Sequence, residues 1–500
     1  MRTQVSNHSL LKKTIIVVSF LINIAALLLI SFLLSPWVYW AIAGTSFVFF
    51  AVLLIANRFV HDKFLFLITY SVLPIFGIVM YVFGKRNNRH LKARKEYQDL
   101  EFRNEEEDDT AALENFEKTN FSQYNLVRYF SQYFKKPLFQ NSVTKFLDGG
   151  EKYFNEVFEN IKQAKKYIFI QTYVIDEGVI WKQLFEMLKE KVRQGVEVKL
   201  LYDPLGCKKS FKDKLTFKKL ENYKIAAMPF RAGAFGHDNH RKLIVVDGVV
   251  GFLGGANISD KYNEHSDMSV DWEVSGIKVS GDAVWSMTTR FLNDWQFSKG
   301  KLNSDFINYM PERMTKLKST EFVQPISLSP ITNKNELKNF WLAIINNTKE
   351  QLDIVSSYIN IDDDVLSALK RASYSGVKVN IIVSSISDHD GNIAISRDFY
   401  RDLMRAGVNI LEYQNCFVRS KIIMIDNSIC FVGTPALDLR VLNLRYENGV
   451  LFNGKENLRE VSKYLETVKF KCKLMTFKEV QSRPFTHKIY GWINRIFRFR

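Results

Sequence analysis

Cysteine is scarce in this 500-residue chain. The four present, Cys207, Cys416, Cys430 and Cys472, form no CxxC pair and join no histidine at zinc-ligand spacing. A disulfide framework and a zinc ribbon are therefore excluded, and the thiols read as reduced, structural groups of a cytosolic environment. No other metal-ligand cluster stands out, so neither a metal nor another cofactor is expected. Acid is also in short supply: 53 Asp and Glu stand against 69 Lys and Arg, a formal net charge of +16. Such a balance suits nucleic acid or anionic lipid.

Long apolar runs, by contrast, crowd the start of the chain. Residues 14–34, 37–56 and 64–83 each approach the ~20 residues that a bilayer core requires. A cleaved signal peptide fits the first run poorly, because it is too long, lacks a small-residue cleavage site and is followed at once by a second. Pro74 and Gly77 interrupt the third, which would also suit a buried core helix. Residues 1–85 are thus expected to be a membrane anchor of two or three spans. Lys85, Arg86, Arg89, Lys92, Arg94 and Lys95 follow it, and an excess of Lys and Arg marks the cytoplasmic side. The expectation is a multi-pass protein of the cell membrane whose soluble part faces the cytoplasm. Arg2, Lys12 and Lys13 are basic as well, and three full spans cannot place both ends inside. With apolar spans beside it, the basic surface points to the anionic leaflet rather than to nucleic acid. Residues 86–117, basic and then acidic, read as a solvated linker. Residues 481–500 form a basic aromatic tail that suits either the membrane interface or a packed C-terminal helix.

Chemistry concentrates at Asn239-His240-Arg241-Lys242-Leu243-Ile244-Val245-Val246-Asp247, followed by Gly254-Gly255-Ala256-Asn257. Extended chain sends alternate side chains to one face, so His240 and Lys242 point the same way. The spacing H-x-K-x4-D-x6-G-G-x-N then recurs in altered form. Arg419, Lys421, Asp426 and Gly433 stand in register, with Arg419 in place of the histidine and Ala436 in place of the asparagine. Upstream of each copy lies a strand, a helix and a Gly-Val-x-Val strand, from Lys166 to Asp203 in one half and from Leu352 to Val383 in the other. Tyr173 and Tyr358 hold matching positions at strand ends. The chain is therefore expected to be α/β, built from two repeated domains, 118–300 and 301–480, whose phosphate-handling strands meet in one shared cleft.

The paired pattern resembles the phospholipase D superfamily, and its flanks resemble the bacterial cardiolipin synthase branch. The resemblance is carried by NHRKLIVVDG with GGAN, by GVNILEY, RSKIIMID and FVGTPALDLR with Tyr446-Glu447, by Ser387-Asp388-His389, and by LPIFGIVMYVFGKR in the apolar region. Departures accompany it. Besides Arg419 and Ala436, the branch's W-R-D-x-H segment is altered: Glu273 and Val274 follow Trp272, and Gly276 stands where the histidine falls.

The resemblance implies a phosphatidyltransferase that joins two phosphatidylglycerol molecules into cardiolipin and releases glycerol. His240 would attack phosphorus and form a phosphohistidine. Lys242 and Lys421 would hold the phosphoryl oxygens, while Asp247 and Asp426 would orient and charge-balance their neighbours. Asn257, Arg419, His389 and Glu447 are the expected substrate-binding residues. Arginine donates hydrogen bonds but releases no proton near neutral pH, so Arg419 supplies charge without acid catalysis. His389 or water would then cover the proton transfer. The alternative is an impaired, lipid-binding or regulatory protein that keeps the fold and one motif. Cleavage of nucleic acid fits the apolar runs poorly.

Overall fold

The duplication read from the sequence is visible strand by strand in the computed structural model. It describes Trp37, Gly44 and residues 88–103, 110–208, 220–230, 237–262, 271–302, 305–311, 319–332, 335–386, 390–438 and 444–482. The apolar runs (apart from Trp37 and Gly44), the acidic block 105–109, His389 and residues 483–500 lie outside the described residues. Among the described residues no helix is long and apolar enough to cross a membrane. The chain divides into a unit of residues 1–93 with Arg500 and a unit of residues 94–499, and the second holds the repeat.

The first half contributes β1 (Ser142–Asp148), β2 (Tyr167–Thr172), β3 (Glu197–Tyr202), β4 (Ala226–Pro229), β5 (Asp238–Asn239), β6 (Leu243–Val246), β7 (Val250–Gly254), β8 (Asp271–Glu273) and β9 (Ser275–Gly281). The second contributes β10 (Val323–Leu328), β11 (Gln351–Val355), β12 (Lys378–Ser384), β13 (Asn409–Tyr413), β14 (Cys416–Val418), β15 (Ile422–Ile425), β16 (Ile429–Gly433), β17 (Arg445–Phe452) and β18 (Cys472–Leu474). One sheet runs β1-β9-β7-β6-β2-β3-β4 and the other β10-β17-β16-β15-β11-β12-β13-β18, so the second repeats the first strand for strand before β18 closes its edge. In each, a parallel trio (β2-β3-β4, β11-β12-β13) meets an antiparallel strand, β6 or β15, that the motif lysine immediately precedes.

Local sequence explains the elements. Every residue of β2 is buried, as expected for a strand covered on both faces. The helix Gly150–Gln163 buries Tyr153, Phe154, Val157, Phe158 and Ile161 along one face, the 3.6-residue period of an amphipathic helix. The glycines of the repeated motif are required by close backbone approach. A Cβ on Gly254 would lie 2.6 Å from the Gly276 Cα, and one on Gly433 would lie 2.6 Å from the Gly449 Cα.

Two short pairings cross between the halves. β5 runs parallel to β17, and β14 runs parallel to β8. They are equivalent under the pseudo-twofold. Each takes the strand just before one motif lysine and ties it to the other half, which brings both motif segments to one seam.

The linker expectation for 86–117 is corrected. Helices Asn88–Arg103 and Thr110–Thr119 form there, and Tyr97 and Phe116 are buried. Charge dominates the composition of this segment, so its few core-directed residues left little signal. The expected start of the first domain at 118 also moves. Leu126, Val127, Phe130 and Phe134 of the helix Tyr124–Phe134 share a core with Phe340 and Trp341 of the second half.

Candidate active site

His240 sits between β5 and β6 in extended backbone, its amide donating to the Tyr446 carbonyl at 3.0 Å. The alternation expected from the sequence is present. Lys242 turns back to donate from Nζ to the His240 carbonyl at 2.8 Å, while Arg241 goes to the opposite face. There Arg241 is fully buried, bound to Asp294 at 2.8 Å, to the Leu328 carbonyl at 2.9 Å and to the Tyr97 hydroxyl at 3.2 Å. Arg290 binds the other Asp294 oxygen at 2.7 Å. One face of the segment is thus turned toward Glu447 of the other half because the opposite face is fixed in a buried ionic network.

The partner of His240 comes from the second half. Nδ1 lies 3.0 Å from Glu447 Oε2 and 3.1 Å from Oε1, and Glu447 is fully buried on β17. An ionised carboxylate only accepts, so it fixes the proton on Nδ1 and leaves the lone pair on Nε2. Burial lowers the His240 pKa well below its ordinary value, and Lys242, Arg445, Arg419 and Lys421 push it the same way. The imidazole is therefore neutral, as a nucleophile must be. Burial raises Glu447 to about 7, against the pull of Lys242 and Arg445.

Lys421 occupies the equivalent position in the second half. Its Nζ donates to the Arg419 carbonyl at 2.9 Å, as Lys242 does to His240, and to Ser357 Oγ at 2.9 Å. Burial holds Lys242 well below its ordinary pKa; Glu447 opposes this, while Arg419, Arg445 and Lys421 add to it. Cations of both halves therefore act on one imidazole and on one another. A phosphodiester anion placed among them would relieve that repulsion. Tyr173 packs against the group, its ring 5.1 Å from that of His240 and 5.7 Å from Lys242 Nζ.

Not every expected residue joins this cluster. Asp247 and Asp426 lie at the far ends of β6 and β15. Asp247 accepts from the backbone amides of Lys165, Lys166 and Tyr167 at 2.7–2.9 Å. Asp426 does the same for Lys349, Glu350 and Gln351, and accepts from Gln123. Both have positive φ, 54° and 50°. Both are acceptors that orient their neighbours, but those neighbours are backbone amides. The charge-balancing of the lysines is corrected, because each clamps the turn that leads into β2 or β11 and four strand residues separate it from its lysine. Asn257 bridges the Val174 amide at 3.3 Å and the Tyr262 hydroxyl at 2.7 Å, bracing the loop after β2. Arg419 stacks over Phe417 at 4.6 Å and Trp272 at 5.0 Å.

Sequence reasoning missed Arg445 and Asn448. Arg445 lies two residues before Glu447 on the same strand face, 3.5 Å from Asp238 and 5.9 Å from the Tyr173 ring. Charged residues at period two in an otherwise buried strand were the available signal. Asn448 brackets the Lys242 backbone, accepting its amide and donating to its carbonyl at 3.3 Å each.

Comparison with known proteins agrees with this geometry. The family model described as "Cardiolipin synthase, PLD-like domain" matches residues 157–295 and 341–469, one match in each half. The cardiolipin synthase of Alkalihalophilus pseudofirmus is 30% identical over 451 residues, covering 88% of this chain and 89% of that protein. Cardiolipin synthase 1 of Bacillus cereus is 29% identical, covering 88% of each chain. Among solved structures, the phosphatidylserine synthase of Haemophilus influenzae superposes with a TM-score of 0.57 at 16% identity, over 76% of this chain and 98% of that one, a likeness of fold.

Proposed function

Because the chain belongs to the cardiolipin synthase family of phospholipase D-like proteins, we propose that it is a phosphatidyltransferase that makes cardiolipin from two phosphatidylglycerol molecules and releases glycerol. The observation that carries the reading is His240, aligned by Glu447 from the opposite half and surrounded by Lys242, Lys421, Arg419 and Arg445. In the first step Nε2 attacks the phosphorus of one phosphatidylglycerol. A P–N bond forms, the P–O bond to glycerol breaks, and the leaving oxygen takes a proton from cleft water or from His389. In the second step the free glycerol hydroxyl of another phosphatidylglycerol attacks the phosphohistidine and gives its proton to the group that donated one in the first step. The P–O bond of cardiolipin forms, the P–N bond breaks, and the imidazole is freed. The two lysines stabilise the phosphoryl oxygens in both steps, an effect whose loss typically costs ~10²–10³-fold in rate.

The apolar runs in residues 14–83 support a multi-pass anchor in the cell membrane, with the catalytic part on the basic, cytoplasmic side. That placement would put the cleft beside both lipid substrates. The replacements at Arg419 and Ala436 favour a second reading, a lipid-binding protein without turnover. One assay separates the two. The intact protein in phosphatidylglycerol vesicles is expected to form cardiolipin and glycerol, and His240→Ala to form none. Lipid binding without product in the intact protein would select the second reading.

A further inference from the structure

The pseudo-twofold allows the two sides of the cleft to be compared residue by residue. His240 donates its amide to the Tyr446 carbonyl, and Arg419 donates its amide to the Glu273 carbonyl. The next residue along the chain is Glu447 in one case and Val274, between β8 and β9, in the other. A second register gives the same equivalence. Gly276 pairs with Gly254 on β7, Gly449 pairs with Gly433 on β16, and Val274 and Glu447 each lie two residues before the glycine. By the same mapping Asp238 corresponds to Phe417 and Arg445 to Trp272, since Asp238 pairs with Arg445 and Phe417 with Trp272.

Thus the ion pair Asp238–Arg445 on one side faces an aromatic pair, Phe417–Trp272, on the other. The carboxylate that holds His240 has a buried valine as its mate. Glu273, the neighbouring carboxylate, bonds Tyr464 on the opposite strand face. The exchange of imidazole for guanidinium at 419 therefore has a counterpart at the position equivalent to Glu447.

We infer that Val274 is a positioning residue matched to Arg419: together they convert the second side of the cleft from a carboxylate–imidazole pair into a fixed anion-holding cation on an apolar wall, and restoring acid chemistry there requires changing both. The inference rests on reading the cleft as a phosphodiester site. A carboxylate at 274 would draw the Arg419 guanidinium to itself and away from phosphoryl oxygens. A histidine at 419 with valine still at 274 would lack the acceptor that fixes the His240 proton and would face the same cations, which disfavour imidazolium.

The test uses the full-length protein and two readouts: inorganic phosphate binding by calorimetry, and turnover of phosphatidylglycerol vesicles as a function of pH. Val274→Asp is expected to weaken phosphate binding about tenfold or more and to raise KM more than it lowers kcat. Val274→Asn, which adds similar bulk without charge, is expected to bind phosphate several-fold more tightly than Val274→Asp. Arg419→His alone is expected to turn over more slowly than the pair Val274→Asp/Arg419→His by about tenfold. Only the pair should gain an alkaline limb beyond the one that Lys242 contributes to every variant, the mark of a new imidazolium acid. Phosphate binding indifferent to Val274→Asp, or Arg419→His matching the pair in rate and profile, would overturn the inference. Should Val274→Asp alone fail to fold, the pair against Arg419→His decides. If the intact protein makes no cardiolipin yet phosphate binding follows this pattern, the functional reading fails and the matched pair stands. Cardiolipin formation without coupling between 274 and 419 has the opposite meaning.

Discussion

Glu447 and His240 belong to different halves of the chain, 207 residues apart, yet their side chains meet at 3.0 Å in a buried contact. Neither half can hold a competent imidazole alone. Replacing Glu447 by Gln keeps the size but offers Nδ1 an amide that can turn either donor or acceptor toward it, so the tautomer is no longer fixed. The expected result is a fall in kcat of about 10²–10⁴-fold with a much smaller change in KM. Steady-state kinetics on phosphatidylglycerol vesicles would check it, and a KM-only effect would remove Glu447 from its assigned role.

The same contact marks the limit of what the sequence makes legible. Strand periodicity and glycine turns are local signals, and they placed β6, β15 and the alternation of His240 with Lys242. Which residue faces His240 depends on β5 pairing with β17, a non-local event with no signature at either site. Glu447 is recognisable in the sequence as a site residue, but its partner, His240 of the opposite half, is not. Asp247 and Asp426 misled for the converse reason. Their regular spacing from the lysines invited a catalytic role, whereas a carboxylate at a positive-φ turn naturally captures nearby backbone amides. Tyr97 was lost within a charged segment because burial of one ring needs no periodic pattern.

Arg241 offers a stability test of how the motif is held. Its guanidinium bonds Asp294, Tyr97 and a carbonyl of β10, all buried. Arg241→Met would leave Asp294 with Arg290 and Gln171 only. Removing one partner of a buried ion pair typically costs about 3–5 kcal/mol. The remaining partners of Asp294 place the expected loss near the lower end. Denaturant unfolding measures it, and an unchanged midpoint would mean that the network does not anchor the segment.

Asp247 is expected to behave as a structural residue despite its place in the motif. Asn tolerates the left-handed backbone at φ 54° and retains one acceptor oxygen. Asp247→Ala removes the acceptor for three amides. Hydrogen bonds to a charged group contribute about 1.5–3 kcal/mol each, so the alanine variant should lose several-fold more stability than the asparagine variant. In both, kcat of the folded fraction should stay within about threefold. A hundredfold loss of kcat in Asp247→Asn at unchanged stability would return this residue to the chemistry.

The pH dependence follows from which groups titrate in the cleft. His240 is held neutral by burial and by four cations, so its own protonation falls below the neutral range. Glu447 is raised to about 7 by burial, and the two share a proton as a coupled pair. Turnover requires the ionised carboxylate as acceptor for Nδ1–H. As pH falls through about 7 the pair takes up a proton and the acceptor is lost, so kcat/KM should rise with pH through that point. The alkaline side differs from that of a site with two imidazoles. Arginine does not deprotonate near neutral pH, so residue 419 contributes no descending limb there. The expected profile is a rise through about 7, and any descending limb above it is assigned to Lys242, which burial holds well below its ordinary pKa. A profile flat through about pH 7 would remove Glu447 from the titration.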